Sequence, residues 1–469
     1  MDVPGQVNLR SRIRRAGVAR AFYCLTVLGS LTGCFSSEPK EVIPTALDSF
    51  NELKQTVIQI RGLALKQDIS LEITPSYAGD GAPDKTLTEK YGPSTVTNVA
   101  RVYKRIGLLP EITDLAKALA DYHRADRIAY YETQRASVVV RPEALSLGRA
   151  FSETDRRIAQ EIPVVLAVTQ ALQEQHFQWQ ERLKTIVLED RRLAFRALAI
   201  GDATLVALAH ASSDKQVPKL AAAVETLVRL SSTVEKLASD LPELLRQSLV
   251  FPYREGCQFV SWGHSTRGWE GVNGLFSNPP LSTSQILHPE KYYVRQENPL
   301  RLFPWGLFRR MKERAAVEQI LGEHLIRVLL SSARSGGEAA QIASGWRGDL
   351  LLAYQESENL VTAWVSAWNT HKDALKFFRA YEAVLARRHR LRFETSVGQN
   401  DSLQAEFAGG RSMVLQVKGS LVLLLDGTLS AQSMELARDI WSDLETETET
   451  TVIPFETAKG PDQLASRSR

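Results

Sequence analysis

Thr169-Gln-Ala-Leu-Gln-Glu-Gln-His-Phe177 lies inside a stretch whose apolar residues recur at helical spacing. The helix that holds it is expected over about 154–184, and Ser152-Glu-Thr-Asp offers its capping start. Two more helices are expected over about 188–211 and 216–248, so the chain from Ser152 to His264 reads as mostly helical.

On the N-terminal side, Leu47, Phe50, Leu53, Val57 and Ile60 step by three or four and predict a helix over about 45–63. Ile69-Ser-Leu-Glu-Ile alternates as a strand does. Ser76 to Pro93, rich in Gly, Pro, Asp and Lys, reads as loop. A helix over about 96–108 and a hairpin of Ala129–Tyr131 with Ala136–Val140 follow. On the C-terminal side, Gly268 to Tyr293 reads as loop and short helix, and about 312–334 as helix. From Gly345 the texture changes. Asp349–Gln355 and Leu360–Trp368 read as paired strands, 372–387 as helix, and 391–395, 413–418 and 421–425 as strands. A final helix is expected over 432–444. The fold class is therefore α+β and predominantly helical. The expected bodies are a larger one over 45–340 and a smaller α+β domain over 341–444. A polar tail over 445–469, opened by a Glu-Thr alternation, is expected to be disordered. There is no internal repeat.

The 469 residues carry a formal charge of +3, but five Arg and one Asp of that balance lie in the first 33 residues. The remainder sits near −1, with no basic stripe interleaved with aromatics, so nucleic acid is not an expected partner. Arg10, Arg12, Arg14, Arg15 and Arg20 form a basic leader, Ala21 to Ser30 a short apolar run, and Leu31-Thr-Gly-Cys34 follows. That order describes a secretory signal, and the run is too short for a bilayer span of roughly 20 residues. Leu31-Thr-Gly-Cys34 resembles a lipobox, which implies cleavage of residues 1–33 and lipidation of Cys34. Residues 34–44 then form a tether, and attachment to a membrane is expected through this lipid. Phe35, rather than Asp, favours the outer membrane if the host is Gram-negative. Cys24 leaves with the leader, so Cys257 remains without an intrachain disulfide partner.

Several segments in one order resemble a family of bacterial envelope proteins similar to zinc-dependent peptidases of the gluzincin type. They include Ile60-Arg-Gly-Leu-Ala-Leu-Lys, Gly107-Leu-Leu-Pro, Ala129-Tyr-Tyr-Glu-Thr, Thr169–Phe177, Ile200-Gly-Asp-Ala-Thr-Leu-Val, Gly268-Trp-Glu-Gly-Val-Asn and Ser282-Thr-Ser-Gln-Ile-Leu-His-Pro-Glu-Lys-Tyr292. The resemblance implies a zincin-like body, with His-Glu-x-x-His on one helix and a further Glu ligand on the next. The spacing has a physical reason: residues i and i+4 share a helical face, so two imidazoles grip one zinc and the intervening Glu activates its water.

At the matching positions this chain has Leu166 and Gln170 for the two histidines, Ala167 for the general base and Ile200 for the third ligand. Leu, Ala and Ile cannot bind zinc. None of the eight histidines forms His-Glu-x-x-His elsewhere. No cofactor is expected, although zinc is the family's metal. His176 lies ten residues beyond Leu166, about 80° off that face. Candidate cleft residues are His176, Glu132, Asp202, His288 and Glu290. Tyr253, Trp262 and Trp269 could stack on a peptide or sugar, and Trp364 and Trp368 share one strand face as core. The reading is a catalytically inactive, lipid-anchored envelope module that binds a protein, peptide or wall component. The alternatives are a peptide hydrolase with an unorthodox site and a purely structural envelope component.

Overall fold

The elements run in the order α1 (Phe50–Arg61), β1 (Ser70–Ile73), α2 (Lys85–Arg105), α3 (Leu115–Asp126), β2 (Ala129–Glu132), β3 (Ser137–Val140), α4 (Leu145–Phe151) and α5 (Arg156–Phe177). Next come α6 (Trp179–Thr185), α7 (Glu189–Ala211), α8 (Leu220–Leu237), α9 (Glu243–Phe251), a π-helical turn (Pro252–Gly256), α10 (Cys257–Ser277), α11 (Thr283–Leu287) and α12 (Glu290–Tyr293). The remainder holds β4 (Leu300–Pro304), α13 (Trp305–Arg310), β5 (Val317–Gln319), α14 (Gly322–Ser331), α15 (Gly336–Ala343), β6 (Trp346–Glu356) and β7 (Asn359–Trp368). It ends with α16 (His371–His389), β8 (Glu394–Thr395), β9 (Ser402–Glu406), β10 (Arg411–Lys418), β11 (Leu421–Leu429), α17 (Ser430–Ser442) and β12 (Leu444–Thr448). This computed structural model describes residues 49–74, 85–311, 315–356, 359–390, 393–395 and 401–449. The expected signal segment and tether, with Cys34, and also Leu47 and residues 450–469 lie outside the described residues. The architecture is α+β and mostly helical.

Asp155 starts α5: its carboxylate accepts the N–H groups of Arg157 and Ile158, which no helical carbonyl can reach. α5 and α7 form the central pair. Glu161 near the start of α5 meets His210 near the end of α7, Oε2 to Nε2 2.8 Å. Gln173 near the end of α5 donates to the Ala199 carbonyl at 2.8 Å. Partners descend on one helix as they rise on the other, so the pair is antiparallel. α7 is long and apolar enough to cross a membrane by composition, but its apolar window is wholly buried here, as befits a core helix. Gly201 lets α7 cross the π-helical turn: a Cβ there would lie 2.2 Å from the Gly256 carbonyl carbon. Beside α5 stands a small sheet in the order β1-β3-β2, with β1 parallel to β3 and the expected hairpin antiparallel.

A larger antiparallel sheet has the order β5-β6-β7-β11-β10-β9-β8. Alternate residues of β7 serve two cores, as the period of two requires. Leu360, Trp364 and Trp368 face Phe377 and Tyr381 of α16. Val361, Ala363, Val365 and Ala367 face the layer that holds Leu307 of α13 and Leu436 and Ile440 of α17.

Several boundaries differ from expectation. α2 begins at Lys85, inside the stretch read as loop through Pro93, and ends at Arg105, before a turn at Gly107. The helix expected to reach 184 stops at Phe177, because Gln178 is left-handed and re-aims the chain into α6. The helix expected over 216–248 is broken before Pro242, which has no N–H for a continuous ladder. α10 runs to Ser277, past the expected loop start, and bends where Gly268 takes φ 58°. β5 occupies part of the helix expected over 312–334, and β9 was not anticipated.

The expected break at 340/341 is bridged, since β5 before it pairs with β6 after it. The tail expected to be disordered starts as strand β12, paired along its length with β4. There the Glu-Thr alternation is the period of a polar edge strand, held by backbone bonds rather than by apolar burial.

Candidate functional site

Leu166 and Gln170 lie one turn apart on α5, with Ala167 beside them and Ile200 on the adjacent α7. All four are buried in the helical core. Leu166, Gln170 and Ile200 keep 3 %, 6 % and 5 % exposure while Ala167, Thr169, Ala171, Ala199 and Ala203 keep none. Among the described residues, no group of three or more His, Cys, Asp and Glu is placed to hold a metal ion.

The residues after Gln170 explain the composition of the segment. Gln173 reaches α7 through its side-chain N–H bonds to Ala199 and Asp202. Glu174 accepts the Gln180 N–H at 2.6 Å and so fixes the turn into α6. Gln175 accepts the Lys66 N–H at 2.7 Å and donates to the Gln67 carbonyl at 3.0 Å. His176 Nε2 lies 2.7 Å from the Ala64 carbonyl. Gln-Glu-Gln-His is thus a clamp on the chain that leaves α1 and on the entry to α6. This gives His176 a structural partner in the chain that follows α1.

Asp202 is fully buried and bonded to Arg61, which is also fully buried. Arg61 Nε donates to both carboxylate oxygens at 2.9 and 3.1 Å, and Nη2 to Oδ2 at 3.1 Å. Gln173 adds a bond of 2.9 Å to Oδ2. The guanidinium stacks 4.7 Å from the Trp269 ring, and His264 meets that ring edge-on. Burial, and then the Arg61 charge, lower the pKa of His264. Cys257 is buried nearby; burial first, and then the Asp202 charge, push its thiol well up, so it is not primed as a nucleophile. Arg61 and Gln173 lie within the segments Ile60–Lys66 and Thr169–Phe177, where no spacing gives them a role. The sequence signal was Asp202 inside the apolar run Ala197–Ala209, which calls for buried partners without naming them.

Glu132 pairs with Arg127 at 2.8 Å. His288 lies on the other side of a different network: its Nε2 is 2.7 Å from Glu323 Oε1 and its Nδ1 is 3.8 Å from Glu290. Lys291 approaches Glu323 Oε2 at 3.7 Å and donates to Ser284 Oγ at 2.9 Å. Thr283 accepts the His324 N–H and donates to the buried Asp190. Burial raises the Asp190 carboxyl well above its ordinary range, against the lowering bonds from Thr283. The 282–292 segment therefore docks onto the start of α14. Its polar residues find their partners there, while those of Asp202 lie on α1 and α5.

Tyr253 is buried, Trp269 covers Arg61, and Trp364 donates to Asp349 at 3.0 Å. Trp262 remains 42 % exposed and stacks on Tyr293 at 6.0 Å.

A family model described as a domain of unknown function (DUF8575) matches residues 309–437. The match covers less than a third of the chain and contains all seven strands of the large sheet. No curated protein and no solved structure matches.

Proposed function

We propose that this chain is a lipid-anchored envelope protein whose zincin-like body has lost its zinc chemistry and serves as a binding or scaffolding module. One observation carries the reading. The four positions that would bear the chemistry, Leu166, Ala167, Gln170 and Ile200, are built into the α5–α7 core as apolar or amide side chains. The carboxylate two residues after Ile200, Asp202, is already bonded to Arg61 and Gln173. Filling a metal site with Leu and Ile removes the cost of unpaired buried polar groups, so the fold no longer depends on metal.

Zinc content tests this directly. Protein purified without chelators is expected to carry no stoichiometric zinc by mass spectrometry. The reverting variant Leu166→His/Ala167→Glu/Gln170→His/Ile200→Glu is expected to take up about one zinc per chain. About one zinc in the unmodified protein would overturn the inactive reading. A reverting variant that keeps its circular dichroism but binds no zinc would overturn the zincin-like geometry.

The anchor rests on Leu31-Thr-Gly-Cys34. Cys34→Ala is expected to move the protein from the membrane fraction to the soluble one. Retention in membranes after a high-salt wash would contradict the anchor. The place favoured by Phe35 is the outer membrane of a Gram-negative host, facing the periplasm.

A further inference from the structure

We propose that the cleft between α9, the π-helical turn and α14 binds a carboxylate carried on a short apolar group. The site lies apart from residues 166, 167, 170 and 200 and does not rest on the peptidase-like reading.

The cleft has a volume of about 180 Å³. His324 lines it, 5 % exposed, with its ring 4.4 Å from that of Phe251. Its Nε2 has no hydrogen-bond partner among the described residues. An orphaned polar atom at such depth costs about 1–3 kcal/mol unless something satisfies it. Arg327 is one turn further along α14 and lines the same cleft. It is half-buried and makes no hydrogen bond or ion pair among the described residues.

The other charges in the cleft are matched. Arg254 donates to Glu255 through Nε at 2.9 Å and Nη2 at 2.6 Å. Glu243 accepts from Arg246 and from Gln247. Arg327 is thus the surplus charge, and the field at the imidazole is cationic. Burial first, and then Arg327 and Arg254, lower the His324 pKa to about 3, so the ring is neutral at pH 7.

These features select a ligand class. A guanidinium fork matches a carboxylate in shape and charge. Val250, Phe251 and Val328 supply apolar wall for a short hydrocarbon group. The volume is below the roughly 300–1,000 Å³ of pockets for drug-sized ligands, so the bound group is small. A free short-chain acid and the C-terminal residue of a peptide share this chemistry.

The test is calorimetric titration of the purified full-length chain at pH 7 with butyrate, butyramide, Ala-Ala-Val and Ala-Ala-Val amide. Butyrate, or the peptide with a free carboxylate, is expected to bind roughly tenfold or more tightly than its amide, the worth of one charge-assisted bond. Arg327→Gln is expected to weaken that binding by a similar factor and leave the thermal midpoint unchanged, since Arg327 holds no structural partner. Acid and amide binding alike, neither binding, or Arg327→Gln binding as tightly as the unmodified protein would each overturn the proposal. Within a supporting result, Ala-Ala-Val binding at least as well as butyrate assigns the site to chain termini. Butyrate binding alone assigns it to free short-chain acids.

Discussion

Asp202→Ala should lower the stability of the fold by about 3–5 kcal/mol, read as a fall in the urea midpoint at unchanged slope. The expectation follows from what would be left behind. Arg61 has no exposed surface, and Asp202 is its anionic partner. Removing the carboxylate strands a guanidinium that water cannot reach, and the Gln173 amide loses one of its two acceptors. The ring of Trp269 offers Arg61 a face but no compensating charge. Replacing both partners separates this cost from the worth of the pair. Arg61→Met/Asp202→Leu should recover most of the loss, because a buried ion pair gains little over apolar side chains of similar volume. A single variant within about 1 kcal/mol of the unmodified protein, or a double variant no better than the single, would contradict the account.

Asp202 also shows what a sequence can carry. The segment Ile200-Gly-Asp that holds it stood out in the sequence, but no spacing gave Gly201 a role. Gly201 proves to be the crossing point with the π-helical turn. The pairing with Arg61 was not readable, because 141 residues separate the two and no local spacing encodes such a contact. The same limit hid the register of β12 on β4, where Leu444 pairs with Pro304 and Thr448 with Leu300. Long periodic elements were legible because their own apolar spacing defines them; α7 and β7 lie within a few residues of expectation. Shorter ones were not. Three residues of β5 carry no period, and their strand state comes from the edge of β6. Polar clusters failed most. Gln-Glu-Gln-His looked like the flank of a catalytic segment, but its side chains hold α7, the entry to α6 and the chain that leaves α1. The cleft at His324 left no pattern at all, since it arises where α14 happens to pass the π-helical turn.

Asp349→Asn should destabilise the protein nearly as much as Asp349→Ala, by about 3–5 kcal/mol, although it conserves shape. Asp349 is buried at the start of β6 and accepts four hydrogen bonds. Oδ1 takes the Gly322 N–H and the Trp346 indole N–H, each at 2.9 Å. Oδ2 takes the Leu321 N–H at 2.9 Å and the Trp364 indole N–H at 3.0 Å. Every partner is a donor, so only a group with two acceptor atoms fits. Asparagine keeps one oxygen and turns its amide N–H group toward two other donors. Two buried donors are then orphaned, at about 1–3 kcal/mol each, with repulsion added. The damage should be directional. The bonds join the first N–H groups of α14 to the tryptophans of β6 and β7, so their loss should free the start of α14 before the sheet opens. Hydrogen exchange should quicken in 321–325 more than in β7, and indole fluorescence should shift as Trp346 and Trp364 lose their acceptor. Because α14 also carries His324 and Arg327, the same variant should weaken carboxylate binding in the cleft without touching a cleft residue. An Asp349→Asn variant as stable as the unmodified protein to within about 0.5 kcal/mol would mean that Asp349 does not hold α14 against the sheet as a carboxylate.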